Sequence, residues 1–244
     1  MMLKRPIKAI LFDFYQTIVE VKTDETKDRL WEVLAMFLEY RGADVGPDEL
    51  REVYHQEVQE GLANSRERYP EIDVTRVFRA LLEHLGVGSA PALAGPIAQL
   101  FRVLSMERFQ LYPESRDVLW KLAERYGLAL VSDSQRVYLE PELRRTGLGC
   151  YFQAAVSSSV LGFRKPDPRM FEKALARLKL AKDEVVHVGD SWERDMEGAR
   201  DAGIQGIWLC RRGDRLVGPR PLAVPVIADL RELLPLLGHV ADRL

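Results

Sequence analysis

Five short apolar runs in this chain alternate with amphipathic stretches of helical length, and this alternation restricts the fold more than any other feature. The runs are AILF at 9–12, LALVSD at 128–133, AAVSS at 154–158, VVHVGD at 185–190 and GIWLC at 206–210. Helix-like segments lie between the later runs, at 114–126, 137–146, 168–180 and 193–202. Such repetition predicts an α/β fold, a Rossmann-like parallel sheet core with helices on both faces.

The stretch between the first two runs has a different pattern. From about Thr26 to Arg108 the sequence is charged and helix-periodic, and no strand-like run interrupts it. Turn residues at 42–47, 69–73 and 86–91 divide it into four predicted helices. We therefore predict two domains, an α/β core domain of residues 1–18 and 112–244 and an inserted helical cap domain of residues 19–111.

Composition limits the kind of partner. The chain has 244 residues, of which 30% are charged, and a formal net charge of -2, so no global positive field attracts nucleic acid or an anionic membrane. Its first apolar run is too short to span a membrane and has no small-residue cleavage site. Two cysteines cannot form a disulfide framework. We expect a cytoplasmic protein, monomer or homodimer, whose partner is a small molecule rather than a nucleic acid or a membrane.

Polar residues follow three of the predicted strands. They are Asp13, then Ser132 with Asp133, and then Asp190 with Ser191. In open α/β sheets ligands bind at the carboxyl ends of the strands, so these residues are expected to converge. Asp13 is a candidate nucleophile, because a carboxylate that attacks phosphorus or carbon forms an ester and splits one hard step into two. Taken alone, Asp13 also fits a helix N-cap or a turn.

Four sequence elements carry a family resemblance. DFYQT at 13–17, the serine of VSDSQ, the lysine of FRKPDPRMF and the run VGDSWERDMEGARDAG resemble, in order and spacing, the four motifs of the haloacid dehalogenase superfamily of hydrolases. The resemblance implies that Asp13 is the nucleophile and that Thr17, Ser132 and Asp133 bind the substrate. It also implies that Lys165 neutralises the nucleophile and a substrate oxyanion together. A turn or capping role for the hydroxyls, and a surface role for the lysine, are the alternatives.

The fourth motif points to a metal ion. Asp190 ends a predicted strand and Asp195 follows five positions later, so both are expected beside Asp13. Two carboxylates ~4 Å apart repel by about 4 kcal/mol at an effective dielectric constant of about 20, and Lys165 supplies only one positive charge. A hard cation such as Mg²⁺ would compensate. The resemblance assigns Asp13, the backbone carbonyl of Tyr15 and Asp190 as ligands, with Asp195 as a further ligand or a residue behind them. A helix N-terminal acid is the alternative for Asp195.

Tyr15 separates two chemistries. In the phosphatases that this chain resembles, the position usually holds a second aspartate, which protonates the leaving group and then activates water. The L-2-haloacid dehalogenases resemble this chain in having tyrosine there. With an ordinary pKa of about 10, tyrosine can donate a proton but is a poor base. His187 is expected to be a packed strand residue rather than a catalytic base.

These observations predict a Mg²⁺-dependent phosphatase that acts on a small phosphorylated metabolite. Tyr15 then replaces the acid/base aspartate as a catalytic residue, and the aspartyl ester is hydrolysed slowly. Two alternatives stay open: an L-2-haloacid dehalogenase, for which Arg29 and Arg41 of the insert are available to hold halide, and a non-catalytic member that only binds a phosphorylated ligand.

Overall fold

All five predicted strands are present in one parallel sheet. The computed structural model describes residues 6–211 and 224–238. The strands are β1 Ala9–Phe12, β2 Val19–Thr23, β3 Met106–Leu111, β4 Gly127–Ser132, β5 Ala154–Ser157, β6 Val185–Gly189, β7 Gln205–Leu209 and β8 Val226–Ile227. The helices are α1 Asp28–Glu39, α2 Pro47–Ala63, α3 Val74–His84, α4 Ala90–Ser105, α5 Ser115–Ala123, α6 Arg136–Thr146, α7 Ser158–Leu161, α8 Pro168–Leu178, α9 Gly198–Asp201 and α10 Leu233–Leu236.

The main sheet has the strand order β5-β4-β1-β6-β7-β8, and its strands run parallel. β1 lies between β4 and β6, with Phe12 in register with Leu130 and with Val188. The carboxyl ends of these three strands therefore meet at one edge. This arrangement confirms the predicted Rossmann-like core.

Both faces of the sheet are covered, which explains why its strands are apolar throughout rather than alternating. Successive side chains of a strand point to opposite faces. Ile10 and Phe12 pack in a cluster that includes residues of α5 and α10, whereas Ala9 and Leu11 pack in a second cluster with α8.

The four helices predicted for the insert, α1 to α4, are confirmed. They enclose an apolar cluster that Tyr138 of α6 also joins, in which the rings of Trp31, Tyr54, Phe78 and Phe101 contact one another at centroid distances of 5.0 to 5.7 Å. The division into two domains, with boundaries at 18/19 and 111/112, stays a prediction. Within the described parts of the chain, no helix is both long enough and apolar enough to cross a membrane.

The prediction that the insert lacks strands is wrong at its two ends. β2 and β3 form an antiparallel pair, with Val19 opposite Leu111 and Val21 opposite Phe109. Val19, Phe109 and Leu111 belong to or pack against the core cluster, while Glu20 on the other face accepts hydrogen bonds from Arg108 and Gln110. The strands have only five and six residues, and strands this short need a partner strand and packing against the core to be stable. Neither segment therefore indicates a strand when it is considered alone.

Candidate active site

Asp13 lies one residue beyond the central strand and is only 7% exposed. Its backbone N–H donates to Val188 O at 2.9 Å, which extends the ladder between β1 and β6. The ammonium of Lys165, buried at 3% exposure, donates to Asp13 Oδ1 at 2.7 Å and to Asp195 Oδ1 at 2.6 Å. The structure thus places the predicted nucleophile, lysine and fourth-motif aspartate in direct contact.

Asp195 is fixed by donors on both of its oxygens. It belongs to a π-helical segment, Trp192–Glu197, that follows β6 and turns back over the end of that strand. In addition to the Lys165 ammonium, Nε2 of His187 lies 2.9 Å from Oδ1, and the backbone N–H of Ser191 donates to Oδ2 at 2.9 Å. A Cβ atom at Gly189 would lie 2.3 Å from Cγ of Asp195. Glycine at this position therefore permits the close approach.

His187 is a member of the site that sequence reasoning missed. Its side chain is fully buried and its ring meets that of Phe171 edge-on, at a centroid distance of 4.9 Å. The predicted packing against a helix is confirmed, because Phe171 belongs to α8. The contact with Asp195 was not predicted. It arises because the segment that carries Asp195 turns back over β6, and the strand sequence VVHVG carries no signal for that.

Negative charge exceeds positive charge at the strand ends. Oxygens of Asp13, Asp190 and Asp195 lie within 4.8 Å of one another. Burial raises the pKa of Asp13, against the attraction of Lys165. Burial, together with Asp13 and Asp195, raises the pKa of Asp190 to about 7.

The contact between Lys165 and Asp195 favours the charged form of both groups. Burial opposes both charges, but Lys165 and the His187 hydrogen bond outweigh it and hold the pKa of Asp195 well below its usual range. In the same way the carboxylates of Asp13, Asp195 and Asp133 outweigh burial and raise the pKa of Lys165. This pair is therefore ionised at neutral pH, which leaves Asp13 and Asp190 with Arg194 as the nearby cation among the described residues. An all-oxygen donor set with excess negative charge fits a hard divalent cation.

The predicted substrate-binding residues lie at the same edge. Thr17 is fully buried, and its hydroxyl lies 3.4 Å from Asp190 Oδ1. Ser132 is also fully buried, and its Oγ has no hydrogen-bond partner within the described chain. Asp133 also makes a contact that was not predicted: its Oδ1 accepts a hydrogen bond from the backbone N–H of Lys165 at 2.9 Å. Asp133 therefore anchors the loop that carries the lysine.

The Tyr15 hydroxyl bonds to Glu142 rather than to the aspartates at the strand ends. The hydroxyl donates to Glu142 Oε2 at 2.7 Å, and Nε of Arg102 donates to Glu142 Oε1 at 2.8 Å. The Arg102 guanidinium lies over the rings of Tyr15 and Tyr138, at 5.3 and 5.2 Å. Burial and the Glu142 charge raise the pKa of Tyr15 well above 10, so the side chain stays a neutral phenol. We name Tyr15, Glu142, Arg102 and Tyr138 the tyrosine cluster.

The tyrosine cluster joins the first-motif loop to α6 of the core and to α4 of the insert. Sequence reasoning missed Arg102 and Glu142 and considered two other arginines of the insert. Arg29 instead pairs with Glu32 at 3.2 Å, and Arg41 lies over the ring of Phe37 at 5.4 Å. A charged residue within the apolar stripe of an amphipathic helix was the only available signal for Arg102.

A cavity of about 440 Å³ opens between the strand ends and the insert. Its lining includes core residues and residues of the insert: Asp13, Tyr15, Asp133, Lys165 and Arg194, and Val21, Thr23, Glu25, Glu71 and Arg102. A second cavity of similar size, between α2, α3 and α7, lacks the nucleophile. The first cavity is therefore the candidate active site.

Comparison with known proteins decides the family. The sequence profile of haloacid dehalogenase-like hydrolases matches residues 7–203. The chain belongs to the haloacid dehalogenase-like hydrolases. The predicted family and its enzymatic character, a hydrolase, are thereby confirmed.

Three known proteins show what this hydrolase is similar to. It is 37% identical to a phosphoserine phosphatase of Thermus thermophilus over 163 residues, which are 65% of this chain and 62% of that enzyme. It is 28% identical to a glyceraldehyde 3-phosphate phosphatase of Methanopyrus kandleri over 85% of each chain. Among solved structures, a 2-haloacid dehalogenase from Pseudomonas syringae superposes with a TM-score of 0.68, at 26% identity, over 95% of this chain and 97% of that one.

Proposed function

We propose that this hydrolase is a Mg²⁺-dependent phosphatase that acts on a small phosphate monoester. The observation that carries the proposal is the convergence of Asp13, Asp190 and Asp195, whose oxygens lie within 4.8 Å of one another, with the Lys165 ammonium bound to Asp13 and Asp195. Among the described residues the carboxylates at these strand ends outnumber the cations Lys165 and Arg194, and this excess negative charge favours a divalent cation and a phosphate that the cation can accompany. Two relatives named as phosphatases of small phosphorylated metabolites support the same conclusion.

The residues of the site divide the reaction into two displacements. A carboxylate oxygen of Asp13 attacks phosphorus, the bond to the ester oxygen breaks, and an aspartyl phosphate forms. Water then attacks phosphorus, which releases phosphate and restores the carboxylate. Lys165 neutralises the nucleophile and the developing oxyanion, and Asp195 and His187 fix the position of Lys165. The buried hydroxyls of Thr17 and Ser132 donate to phosphate oxygens.

The first-motif loop and Asp190 would hold the cation. Asp13, the backbone carbonyl of Tyr15 and Asp190 are the proposed ligands, because both oxygens of Asp195 already have protein donors. When bound, Mg²⁺ neutralises charge on the transferred phosphoryl group.

Dehalogenation is the second candidate, and Tyr15 together with the Pseudomonas syringae structure favours it. A 2-haloacid brings its own carboxylate to the nucleophile. With no cation bound, the charges of Asp13 and Asp190 would repel that carboxylate. This repulsion places dehalogenation second.

A substrate panel tests the proposal. Phosphate release from a set of alkyl and aryl phosphates is measured with Mg²⁺, and chloride release from 2-chloropropionate is measured without metal. We expect phosphate release by the wild type and no detectable turnover by Asp13→Asn. Asp44→Asn, the same change at an exposed position of the insert, serves as the control and should behave as the wild type. Chloride release without phosphate release would establish the dehalogenase, and no release from any substrate would favour a binding protein.

A further inference from the structure

The tyrosine cluster leaves the proposed reaction without an acid at Tyr15. An alkyl phosphate needs a proton on its leaving oxygen when the P–O bond breaks, because an alkoxide is a poor leaving group. The Tyr15 hydroxyl already donates to Glu142, and Glu142 is paired with Arg102. A proton delivered from Tyr15 would leave a phenolate beside the Glu142 carboxylate. The proton must therefore come from another group in the cavity.

Asp133 is placed for that task. It follows β4 directly and lines the same cavity as Asp13 and Lys165. Its side chain is only 10% exposed, and the hydrogen bond from the Lys165 N–H fixes Oδ1. Its other oxygen, Oδ2, has no hydrogen-bond partner within the described chain; the nearest cation, Nη1 of Arg194, is 4.0 Å away. A buried carboxyl with one oxygen fixed and the other without a hydrogen bond from the described chain is oriented and can still carry a proton.

We propose that Asp133 is the acid/base residue of this hydrolase, an inference that rests on the proposed phosphatase function. In the first displacement the Asp133 carboxyl gives its proton to the ester oxygen as the P–O bond breaks, and the alcohol leaves. In the second displacement the Asp133 carboxylate takes a proton from the attacking water as the bond between phosphorus and Asp13 breaks. Asp133 is again protonated after one turnover, and no other reactant is needed.

The charges around Asp133 suit both protonation states. Burial raises the pKa of Asp133 to about 6. The Lys165 ammonium and backbone N–H act to lower this pKa, whereas the charges of Asp13 and Asp195 raise it. Arg194, the remaining cation that faces Asp133, lies beyond hydrogen-bond distance. A pKa near the working pH is the condition under which one group can serve as acid and then as base.

The dependence on the leaving group distinguishes an acid from a substrate-binding residue. Asp133→Asn keeps an oxygen that can accept the Lys165 N–H bond but has no proton to give. With p-nitrophenyl phosphate the leaving phenolate needs no proton, so we expect the release of p-nitrophenol in the first turnover, here called the burst, to stay within about threefold of the wild-type rate. Steady-state turnover of the aryl ester, and all turnover of glycerol 1-phosphate, should fall by about 10²- to 10⁴-fold. Equal losses in the burst and in alkyl ester turnover, or no loss in either, would overturn the assignment.

The failure of the proposed function gives a different result, because wild-type protein would then show neither a burst nor phosphate release. Melting temperatures of Asp133→Asn and of the control Asp44→Asn establish that both variants are folded. If Asp133→Asn does not fold, the pH dependence of the wild type tests the assignment instead. The first displacement of glycerol 1-phosphate should slow as pH rises above about 6, while the p-nitrophenol burst should not. Parallel pH profiles would contradict the role of Asp133.

Discussion

Replacement of Arg102 by methionine tests whether the tyrosine cluster holds the insert against the core. Methionine replaces the aliphatic part of the arginine side chain but removes the guanidinium, which donates to Glu142 at 2.8 Å. The side chains of Arg102 and Glu142 are 15% and 7% exposed, so the variant leaves a carboxylate buried without its cation. Breaking a buried pair in this way costs about 3–5 kcal/mol. The Tyr15 hydroxyl still donates to Glu142, so we expect a loss near the lower limit, about 3 kcal/mol in the free energy of unfolding.

Equilibrium denaturation in urea measures this loss, with the midpoint and the slope fitted separately. The double variant Arg102→Met/Glu142→Gln removes the orphaned charge, so it should be more stable than Arg102→Met alone. Arg41→Met, the same change at an exposed position of the insert, should cost no more than about 1 kcal/mol, the value of an exposed cation–π contact. Equal losses in the free energy of unfolding for Arg102→Met and Arg41→Met, or a further loss when Glu142→Gln is added, would show that the buried pair does not stabilise the fold.

Two further predictions concern the strand ends. Lys165→Met leaves Asp13 and Asp195 buried without their shared cation and should lower the free energy of unfolding by at least about 3 kcal/mol at pH 8. Without the ammonium the folded-state pKa of Asp195 rises above its unfolded value, and that of Asp13, already raised by burial, rises further. This deficit should therefore shrink as pH falls toward 5, and a deficit independent of pH in urea melts would contradict it. Asp190→Asn should weaken Mg²⁺ binding at least about tenfold in titration calorimetry. The affinity of the wild type for Mg²⁺ should rise from pH 6 to pH 8, because the pKa of Asp190 is about 7 and the cation must displace the proton of this carboxyl group. Equal affinities in the wild type and in Asp190→Asn would remove Asp190 from the ligand set.

Local sequence patterns were enough to predict the parallel sheet and the residues at its strand ends. Apolar runs as short as AILF are buried on both faces only in a covered sheet, and parallel strands bring their carboxyl ends to one edge. That geometry was sufficient to predict that Asp13, Ser132, Asp133 and Asp190 converge, although more than 170 residues separate the first from the last. The order of the four motifs was sufficient to predict the family.

The contacts of each side chain, by contrast, depend on how distant segments pack. Tyr15 meets Glu142 across 127 positions and Glu142 meets Arg102 across 40, and both contacts depend on how α4 of the insert lies against α6 of the core. The same is true of β2 and β3, which are strands only because their ends of the insert meet. Secondary structure and strand-end position follow from local periodicity, which a sequence displays directly. The partner of a buried polar group is selected by the need to satisfy its charge and hydrogen bonds wherever packing has placed it, and no local pattern records that choice.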